Sequence, residues 1–512
     1  MREVEGTGME NKKTNILMIT TDQQHWNTIQ ALGNEAIHTP NLDRLAAEGT
    51  AFDRAYVSNP VCSPSRSSII TGEYPSRHGC WNIGVELDEN RSTFGHQLQK
   101  SGYATGLFGK AHFKPVLKEG SFEAPPHIHD REFWKKWDGP YYGFEQVAML
   151  HGHADEDSSH GMHYGAWLAE QGIDPQQYFG PGGGYREGSW ELPEEYHYTR
   201  WTADKTIDFL DKQDNIQPFM AWCSFQDPHN AFLCPEPWNS MYDPEQLPLF
   251  IEKEGEMLDK PMLHRYLSED RMDEMDIEVT ADPGHDTGGL QCLGHTNKKI
   301  GYERARKWLA SYYGMISLID YHIGRVLNKL DELGMADNTM VVFTSDHGDY
   351  AGNHGLWLKG PIHYDDILRV PFLVRWKNKV PAGKRTSSLI SLVDLAPTFL
   401  ELAGLEKTDT MQGVSQLHTM RHPDESSREW CLVENRAEPN FYVKTLIMDQ
   451  YKLNYYLERE EGELYDLTED PREFINLFDD PQYKDMKLKM LMRIIDIYGE
   501  LEKPIPPRQS FA

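Results

Sequence analysis

Two mostly apolar segments of this 512-residue chain each end in an acidic residue, and this pattern constrains the fold most strongly. The first segment, Asn15–Thr21, leads into Asp22, and the second, Thr339–Ser345, leads into Asp346. Apolar runs rich in β-branched residues are typical of strands that are buried on both faces of a parallel sheet. Open α/β sheets place their functional sites at the carboxyl ends of such strands. The two acids therefore predict a shared site at one edge of a sheet.

Each predicted strand end also carries a second possible metal ligand, Gln23 after Asp22 and His347 after Asp346. If the two strands lie close together, these four side chains converge on one divalent cation. The oxygen-rich set favours Ca²⁺, with Mg²⁺ or Mn²⁺ as alternatives, and the imidazole of His347 leaves Zn²⁺ possible. For either strand end alone, the alternative is an aspartate that caps the following turn.

Strands alternate with helices through most of the first 400 residues, which favours an α/β fold. Helices are predicted over residues 39–49, 93–102, 198–213 and 303–333, and strands over residues 103–108 and 219–225. This alternation implies βαβ units and a mostly parallel sheet. The pattern changes after about residue 425, where short strands are separated by turn-length gaps, as in an antiparallel sheet. These strands are predicted over residues 430–434, 442–448, 451–457 and 463–467, followed by a helix over residues 482–501.

The two patterns divide the chain into a large unit over residues 1–425 and a small unit over residues 426–512. Residues 115–200 are rich in Gly, His, Trp and Pro, and we interpret them as a long insertion over the site. Residues 245–290 are acidic and predict a second excursion at the surface.

The segment Cys62-Ser63-Pro64-Ser65-Arg66 reads C-x-P-x-R, and its residue types suit an anion site. Pro64 favours the first turn of a helix, since its missing N–H leaves nothing unpaired there. Cys62 would then lie at a helix N-terminus, where free N–H groups and the helix dipole attract an anion. Arg66 adds a planar cation that matches a tetrahedral oxyanion. The alternative is a buried cysteine near a helix cap.

With these elements, the chain resembles the type I sulfatases of the alkaline phosphatase superfamily. The matching motifs occur in the family's order, at residues 39–45, 62–66, 71–79, 109–112 (G-K-A-H), 227–229 (D-P-H), 346–349 (D-H-G-D), 354–360 and 462–471. The resemblance covers nearly the whole chain and is weaker from about residue 115 to residue 200. It implies an α/β fold with a large mixed, mostly parallel sheet sandwiched by helices. A small C-terminal subdomain with an antiparallel sheet and a helix is implied as well, so that residues 1–425 form the catalytic domain.

The resemblance also implies the chemistry of the site. In this family, a formylglycine-generating enzyme oxidises the motif cysteine, here Cys62, to formylglycine, whose hydrated aldehyde is the nucleophile. Arg66 then steadies this group and the metal site. The implied metal ligands are the oxidised Cys62 with Asp22, Gln23, Asp346 and His347.

Four further side chains take catalytic roles by the same resemblance. Lys110 and Lys359 hold sulfate oxygens, and His112 acts as the base that collapses the hemiacetal sulfate, which releases sulfate and re-forms the aldehyde. His229 protonates or orients the leaving oxygen. Two residues are candidates for contacts with the substrate, Asn82 and His354.

Two departures from the common sulfatase pattern keep alternatives open. Many sulfatases carry a pair of acids where this chain has Asp22 and Gln23, and often Asn where it has His347. This variant also resembles phosphonate monoester hydrolases and choline-sulfatases. The leading hypothesis is a sulfatase that acts on a carbohydrate or another small organic sulfate. The alternatives are a phosphonate monoester or phosphodiester hydrolase, and a non-catalytic binder of sulfated ligands in which Cys62 stays unmodified.

The net charge of −29 argues against nucleic acid or an anionic membrane as a partner. The expected partners are a small sulfated substrate and the formylglycine-generating enzyme. The six cysteines are scattered and form no disulfide framework. Residues 1–14 are polar and no run approaches a membrane span, so the cytoplasm is the expected location.

Overall fold

The structure is a computed structural model that describes residues 13–154, 156–180, 186–269, 271, 274–275 and 296–502. Three sequence interpretations fall partly or wholly outside these residues. They concern the polar start at residues 1–14, residues 181–184 within the predicted insertion 115–200, and residues 270, 272–273 and 276–290 of the acidic stretch 245–290.

The large unit is built on an eight-stranded sheet. Its strands are β1 (Asn15–Thr21), β2 (Thr50–Tyr56), β3 (Ala104–Lys110), β4 (Gln146–Leu150), β6 (Phe219–Ser224), β8 (Thr339–Ser345), β9 (Phe372–Arg375) and β10 (Lys384–Ser391), and a small separate pair joins β5 (Glu187–Ser189) to β7 (Phe232–Cys234). The order is β10-β2-β9-β8-β1-β6-β3-β4, and only β9 runs antiparallel to its neighbours. The predicted mixed, mostly parallel sheet is therefore confirmed.

Helices cover both faces of this sheet, and a cluster of buried apolar residues lies between the helices and the sheet on each face. One cluster contains Ile16 and Met18, and the other contains Leu17 and Ile19. The helices of the large unit are α1 (Pro40–Glu48), α2 (Cys62–Thr71), α3 (Pro75–His78), α4 (Phe94–Lys100), α5 (Arg131–Trp134), α6 (Met162–Glu170), α7 (Pro175–Tyr178), α8 (Tyr198–Leu210), α9 (Met262–Ser268), α10 (Asn297–Ile300), α11 (Tyr302–Glu332), α12 (Asp365–Leu368), α13 (Leu395–Leu402) and α14 (Leu417–Arg421). Alternate residues of β1 face opposite clusters, as the two-residue period of a strand requires. Within the described residues, no helix is both long and apolar enough to cross a membrane.

The small C-terminal unit has the predicted antiparallel sheet, in the order β11-β12-β13-β14. These strands are β11 (Trp430–Glu438), β12 (Phe441–Met448), β13 (Tyr451–Tyr456) and β14 (Gly462–Asp466), and the helix α15 (Lys484–Glu500) follows. Strand β11 extends four residues beyond its predicted end, since its polar residues continue to pair with β12 up to Glu438 and Phe441. The stretch 115–200, interpreted as an insertion, contributes β4 to the edge of the main sheet.

A buried ion pair ties the segment before β11 to the large unit. Arg428 donates from Nε to Asp394 Oδ2 at 2.7 Å and from Nη2 to the other carboxylate oxygen, and both side chains are at most 2% exposed. Asp394 lies just before α13, whereas Arg428 lies just before β11.

We expect Arg428→Ala to lower the free energy of unfolding by about 3–5 kcal/mol, because it leaves the buried carboxylate of Asp394 without its positively charged partner. Arg385→Ala is the matched control, since Arg385 pairs with Asp53 at the surface and is 48% exposed. Its loss should cost less than about 1 kcal/mol. Urea unfolding of both variants measures the difference, and equal midpoints would contradict the assignment.

Candidate active site at the strand ends

The two acids of the strand ends lie side by side, because β1 and β8 are neighbouring parallel strands. The backbone holds Asp346 in place, since its Oδ1 accepts hydrogen bonds from the N–H groups of Gln23 at 3.1 Å and His347 at 2.9 Å. Both carboxylates and the His347 imidazole are fully buried. The sequence prediction that these strand ends converge agrees with this geometry.

Cys62 completes the cluster from a different element. It is the first residue of α2, as predicted, and its Sγ lies 3.2 Å from His347 Nε2 and 3.7 Å from Asp22 Oδ1. One possible ligand atom from each of Asp22, Cys62, Asp346 and His347 lies within 4.8 Å of the others. Donors that surround one divalent ion at about 2.0–2.6 Å must be this close together. These four residues therefore fit a divalent cation.

The side chain of Gln23 is held beside this cluster. Its Oε1 accepts a hydrogen bond from Lys359 Nζ at 2.9 Å, and its Nε2 donates to Asp349 Oδ2 at 2.7 Å. The backbone of Gln23 has a φ of 67°, in the left-handed region. Its role as a metal ligand stays a prediction.

Two buried cations balance the acids. Arg66 donates from Nε to Asp346 Oδ2 at 2.7 Å, and Lys110 Nζ donates to Asp22 Oδ2. Burial opposes the ionisation of Asp22, but nearby positive charges, Lys110 first and then Arg66, outweigh it and hold the pKa of Asp22 well below its usual value. Burial, reinforced by Asp22, raises the pKa of the Cys62 thiol to about 12.

Lys110 reaches the site because β3 packs very closely against β6 just before it. A Cβ atom added to Gly109 would lie 1.9 Å from the carbonyl oxygen of Ser224, so only glycine fits there. The same Ser224 accepts a hydrogen bond from Arg66 Nη1 at 2.8 Å and donates to the carbonyl oxygen of Lys110. The G-K-A-H motif thus has a packing reason for its first residue.

Lys359, the other lysine of the site, lies at one end of a row of four side chains in contact. Lys359 Nζ lies 2.6 Å from His229 Nε2, and the His229 ring stacks on the ring of His153, with centroids 3.5 Å apart. His153 Nε2 in turn lies 3.1 Å from Lys110 Nζ. His229 also contacts the carbonyl oxygen of Asn230 through Nδ1 at 2.6 Å. Because a carbonyl only accepts, His229 donates from Nδ1, and its Nε2 accepts from Lys359.

His112 faces the site with both ring nitrogens available. Neither nitrogen has a hydrogen-bond partner among the described residues, although the side chain is only 4% exposed. Burial and the nearby Lys110 lower the pKa of His112 well below its usual value, so its imidazole is neutral. The ring of His151 lies 5.1 Å away, and burial lowers the pKa of His151 to about 3.

Sequence reasoning missed His151 and His153. His151 directly follows β4 and His153 lies two residues later, so the signal was the same one that identified Asp22 and Asp346: an apolar run that ends in side chains able to bind a ligand. The run was overlooked because it lies within the stretch interpreted as an insertion. Asp349, a member of the D-H-G-D motif, was also assigned no role, yet it holds Gln23.

The two candidate substrate contacts lie in other surroundings. Asn82 donates from Nδ2 to the carbonyl oxygen of Ala437 in β11 at 2.8 Å. The His354 ring stacks on Tyr364 at 3.8 Å and pairs with Glu256 and Asp366. None of these partners belongs to the cluster around Cys62.

Family comparisons agree with the motifs. A family model described as Sulfatase matches residues 14–405. A second model, described as N-sulphoglucosamine sulphohydrolase, C-terminal, matches residues 352–499. Together they span both structural units.

Individual proteins are similar over nearly the full chain. An arylsulfatase of Clostridium perfringens is 30% identical over 509 residues, covering 94% of each chain. An N-acetylglucosamine-6-O-sulfatase of Bacteroides thetaiotaomicron is 26% identical and covers 95% of this chain and 86% of its own. Among solved structures, a phosphonate monoester hydrolase of Agrobacterium radiobacter superposes with a TM-score of 0.76 at 23% identity, over 96% of each chain, and so shares the fold.

Proposed function

This chain belongs to the sulfatase family, and on that premise we propose that it hydrolyses the sulfate ester of a carbohydrate with a formylglycine formed from Cys62. As a member of the family it is a sulfuric ester hydrolase. The observation that carries the finer proposal is the convergence of Cys62 with Asp22, Asp346 and His347 beside two lysines.

In this proposal one divalent ion would be held by Asp22, Asp346, His347 and the oxidised Cys62, with Gln23 as a fifth ligand. The oxygen-rich donor set suits Ca²⁺, Mg²⁺ or Mn²⁺, and we propose Ca²⁺ as the first ion to test. Once the ion is bound and Cys62 is oxidised, they would supply an activated oxygen nucleophile at position 62. Arg66 donates a hydrogen bond to Asp346 and would hold this carboxylate in position for the ion.

The lysines and histidines of this chain would act on the sulfate and on the leaving alcohol. Lys110 and Lys359 donate hydrogen bonds to sulfate oxygens as negative charge develops. His229 Nε2 and Lys359 Nζ share a proton at 2.6 Å, and this proton can pass to the oxygen of the leaving alcohol. The neutral His112 accepts a proton from the group at position 62. The histidines His151 and His153 would face the alcohol.

A carbohydrate is the proposed alcohol on two grounds. The similar Bacteroides protein is named for N-acetylglucosamine 6-O-sulfate. His151 and His153 also each offer a ring nitrogen without a partner among the described residues, and such nitrogens suit sugar hydroxyl groups.

A second candidate is the hydrolysis of phosphonate monoesters. The neutral Gln23, held by Lys359 and Asp349, lowers the negative charge around the metal site compared with a second acid. Purified protein assayed with sulfated monosaccharides, 4-nitrophenyl sulfate and phenyl phosphonate monoesters separates the two candidates. We expect sulfate esters to be turned over fastest, and faster turnover of phosphonates would replace the proposal with the second candidate.

We expect Lys359→Ala to slow the hydrolysis of a sugar sulfate by about 100-fold or more, because one contact to the developing charge is lost. The loss should be smaller for 4-nitrophenyl sulfate, whose leaving group needs no proton from the Lys359–His229 pair. Lys377→Ala is the control, since Lys377 is 58% exposed and pairs with Asp337. Equal losses on both substrates would show that the pair does not supply the proton.

A further inference from the structure

A cavity of about 300 Å³ lies between the segment that contains α3 and the first two strands of the C-terminal sheet. Nothing in the proposed chemistry uses it. The lining includes the aromatic residues Trp81 and Tyr442, and polar residues of β11 and β12, namely Glu434, Asn435, Arg436 and Lys444.

Arg436 lies between the two aromatic rings. Its guanidinium carbon is 4.8 Å from the centroid of the Trp81 ring and 4.3 Å from that of Tyr442. Its Nη2 donates to the carbonyl oxygen of Pro439 at 3.0 Å. Its Nε is shielded from solvent and has no hydrogen-bond partner within the described part of the chain. The stacking fixes the plane of the guanidinium and leaves this donor for a ligand.

Asn435 borders the same cavity and is only 2% exposed. Neither atom of its side-chain amide has a hydrogen-bond partner among the residues that the structure describes. A buried polar group left unpaired costs about 1–3 kcal/mol, so such a group points to a bound partner. A carboxamide both donates and accepts, which matches the hydroxyl groups of a sugar.

The charge of the cavity is set by Arg436. Lys444 Nζ pairs with Glu434 Oε1 at 3.0 Å, and Glu434 also accepts from the N–H of Ser76, so these two charges balance each other. Within the described part of the chain, no carboxylate pairs with Arg436. In a chain with a net charge of −29, such a cation favours an anionic ligand.

The cavity is connected to the segment that leads into Cys62. The N–H of Glu434 donates to the carbonyl oxygen of Ser58 at 2.9 Å, and Asn59 Nδ2 donates to the carbonyl oxygen of Glu434 at 2.6 Å. Ser58 is four residues before Cys62, so Glu434 lies roughly 20 Å or less from Cys62. This distance is within reach of an oligosaccharide that also occupies the active site.

We propose that this cavity binds a second, anionic sugar residue of a sulfated oligosaccharide substrate. The inference rests on the proposed function, since it extends the same substrate beyond the sugar that carries the reacting sulfate. Arg436 contacts a sulfate or carboxylate group of the second residue, Asn435 contacts its hydroxyl groups, and the aromatic rings pack against its apolar face.

The test uses binding to the full-length Cys62→Ser protein, which holds the substrate without cleaving it. Calorimetric titrations employ tetrasaccharides from heparin, chondroitin sulfate and carrageenan. We expect at least one to bind, and Arg436→Met in the same background to weaken its binding about 10-fold or more. Arg436→Lys, which keeps the charge, should lose less. Arg421→Met is the matched control, because Arg421 stacks on Trp376 at 5.0 Å away from this cavity, and it should bind normally.

Three results would overturn the inference. They are the absence of binding by every tetrasaccharide, unchanged affinity in Arg436→Met, and equal weakening in Arg421→Met. Circular dichroism and thermal melting confirm that the variants fold, and Asn435→Val provides a second variant with the same expected direction. Turnover of 4-nitrophenyl sulfate by the protein with Cys62 intact tests the proposed function separately, and Arg436→Met should leave this turnover within about two-fold of the parent.

Discussion

Replacing Cys62 with serine is expected to reduce sulfate-ester hydrolysis by about four orders of magnitude or more, the scale seen when a nucleophile is removed. A serine hydroxyl cannot replace the activated oxygen that formylglycine supplies. The protein should still fold, because Cys62 is a single side chain at the start of α2. Metal binding should be largely retained, since Asp22, Asp346 and His347 remain.

Cys431→Ser is the matched control for this substitution. Cys431 is also fully buried, and its Sγ contacts the carbonyl oxygen of Ile390, to which a serine hydroxyl can donate. The sulfate-ester hydrolysis of Cys431→Ser should stay close to that of the parent protein. Substantial turnover by Cys62→Ser, measured with the same sulfated sugar, would show that another group is the nucleophile.

Replacing Asp346 with asparagine is expected to lower metal affinity by about 100-fold or more and to lower turnover at least as much. The carboxylate would serve as a ligand while it accepts hydrogen bonds from Arg66 Nε and from two backbone N–H groups. Asparagine keeps the shape and loses the charge. The metal content after dialysis and the affinity in a calcium titration report the effect.

Asp320→Asn separates this result from a general effect of losing a buried carboxylate. Asp320 is 1% exposed and accepts hydrogen bonds from the N–H groups of Asn41 and Leu42 at the start of α1, where it contacts no residue of the metal cluster. This variant should lose stability and keep its metal. Normal metal affinity in Asp346→Asn would show that Asp346 is not a metal ligand.

The strand ends could be predicted from the sequence because their signal is local. An apolar run that ends in an acid identifies both the strand and the residue it presents, as β1 with Asp22 and β8 with Asp346 illustrate. The position of Cys62 at a helix start is also local, since Pro64 favours a first turn. The fold class followed from the alternation of such segments.

Other parts of the site depend on long-range pairing, so a local pattern can indicate a candidate residue but not the partner that it meets. His153 reaches Lys110 because β4 pairs in register with β3, and the sequence around β4 reads as an irregular insertion. Strand β9 was not predicted, because it has only four residues, follows a proline and runs against its neighbours. The line from Lys110 to Lys359 through two stacked histidines likewise joins four separate segments.

The central claim is that Cys62 acts as formylglycine, and one measurement tests it most directly. Batches of the protein with different degrees of conversion, made with and without a co-expressed formylglycine-generating enzyme, are digested, and mass spectrometry gives the aldehyde fraction of the peptide over residues 55–66. The same batches are assayed on a sulfated sugar. We predict that activity rises in proportion to the aldehyde fraction and extrapolates to nearly zero for the plain thiol. Activity that stays constant while the aldehyde fraction changes would contradict the account.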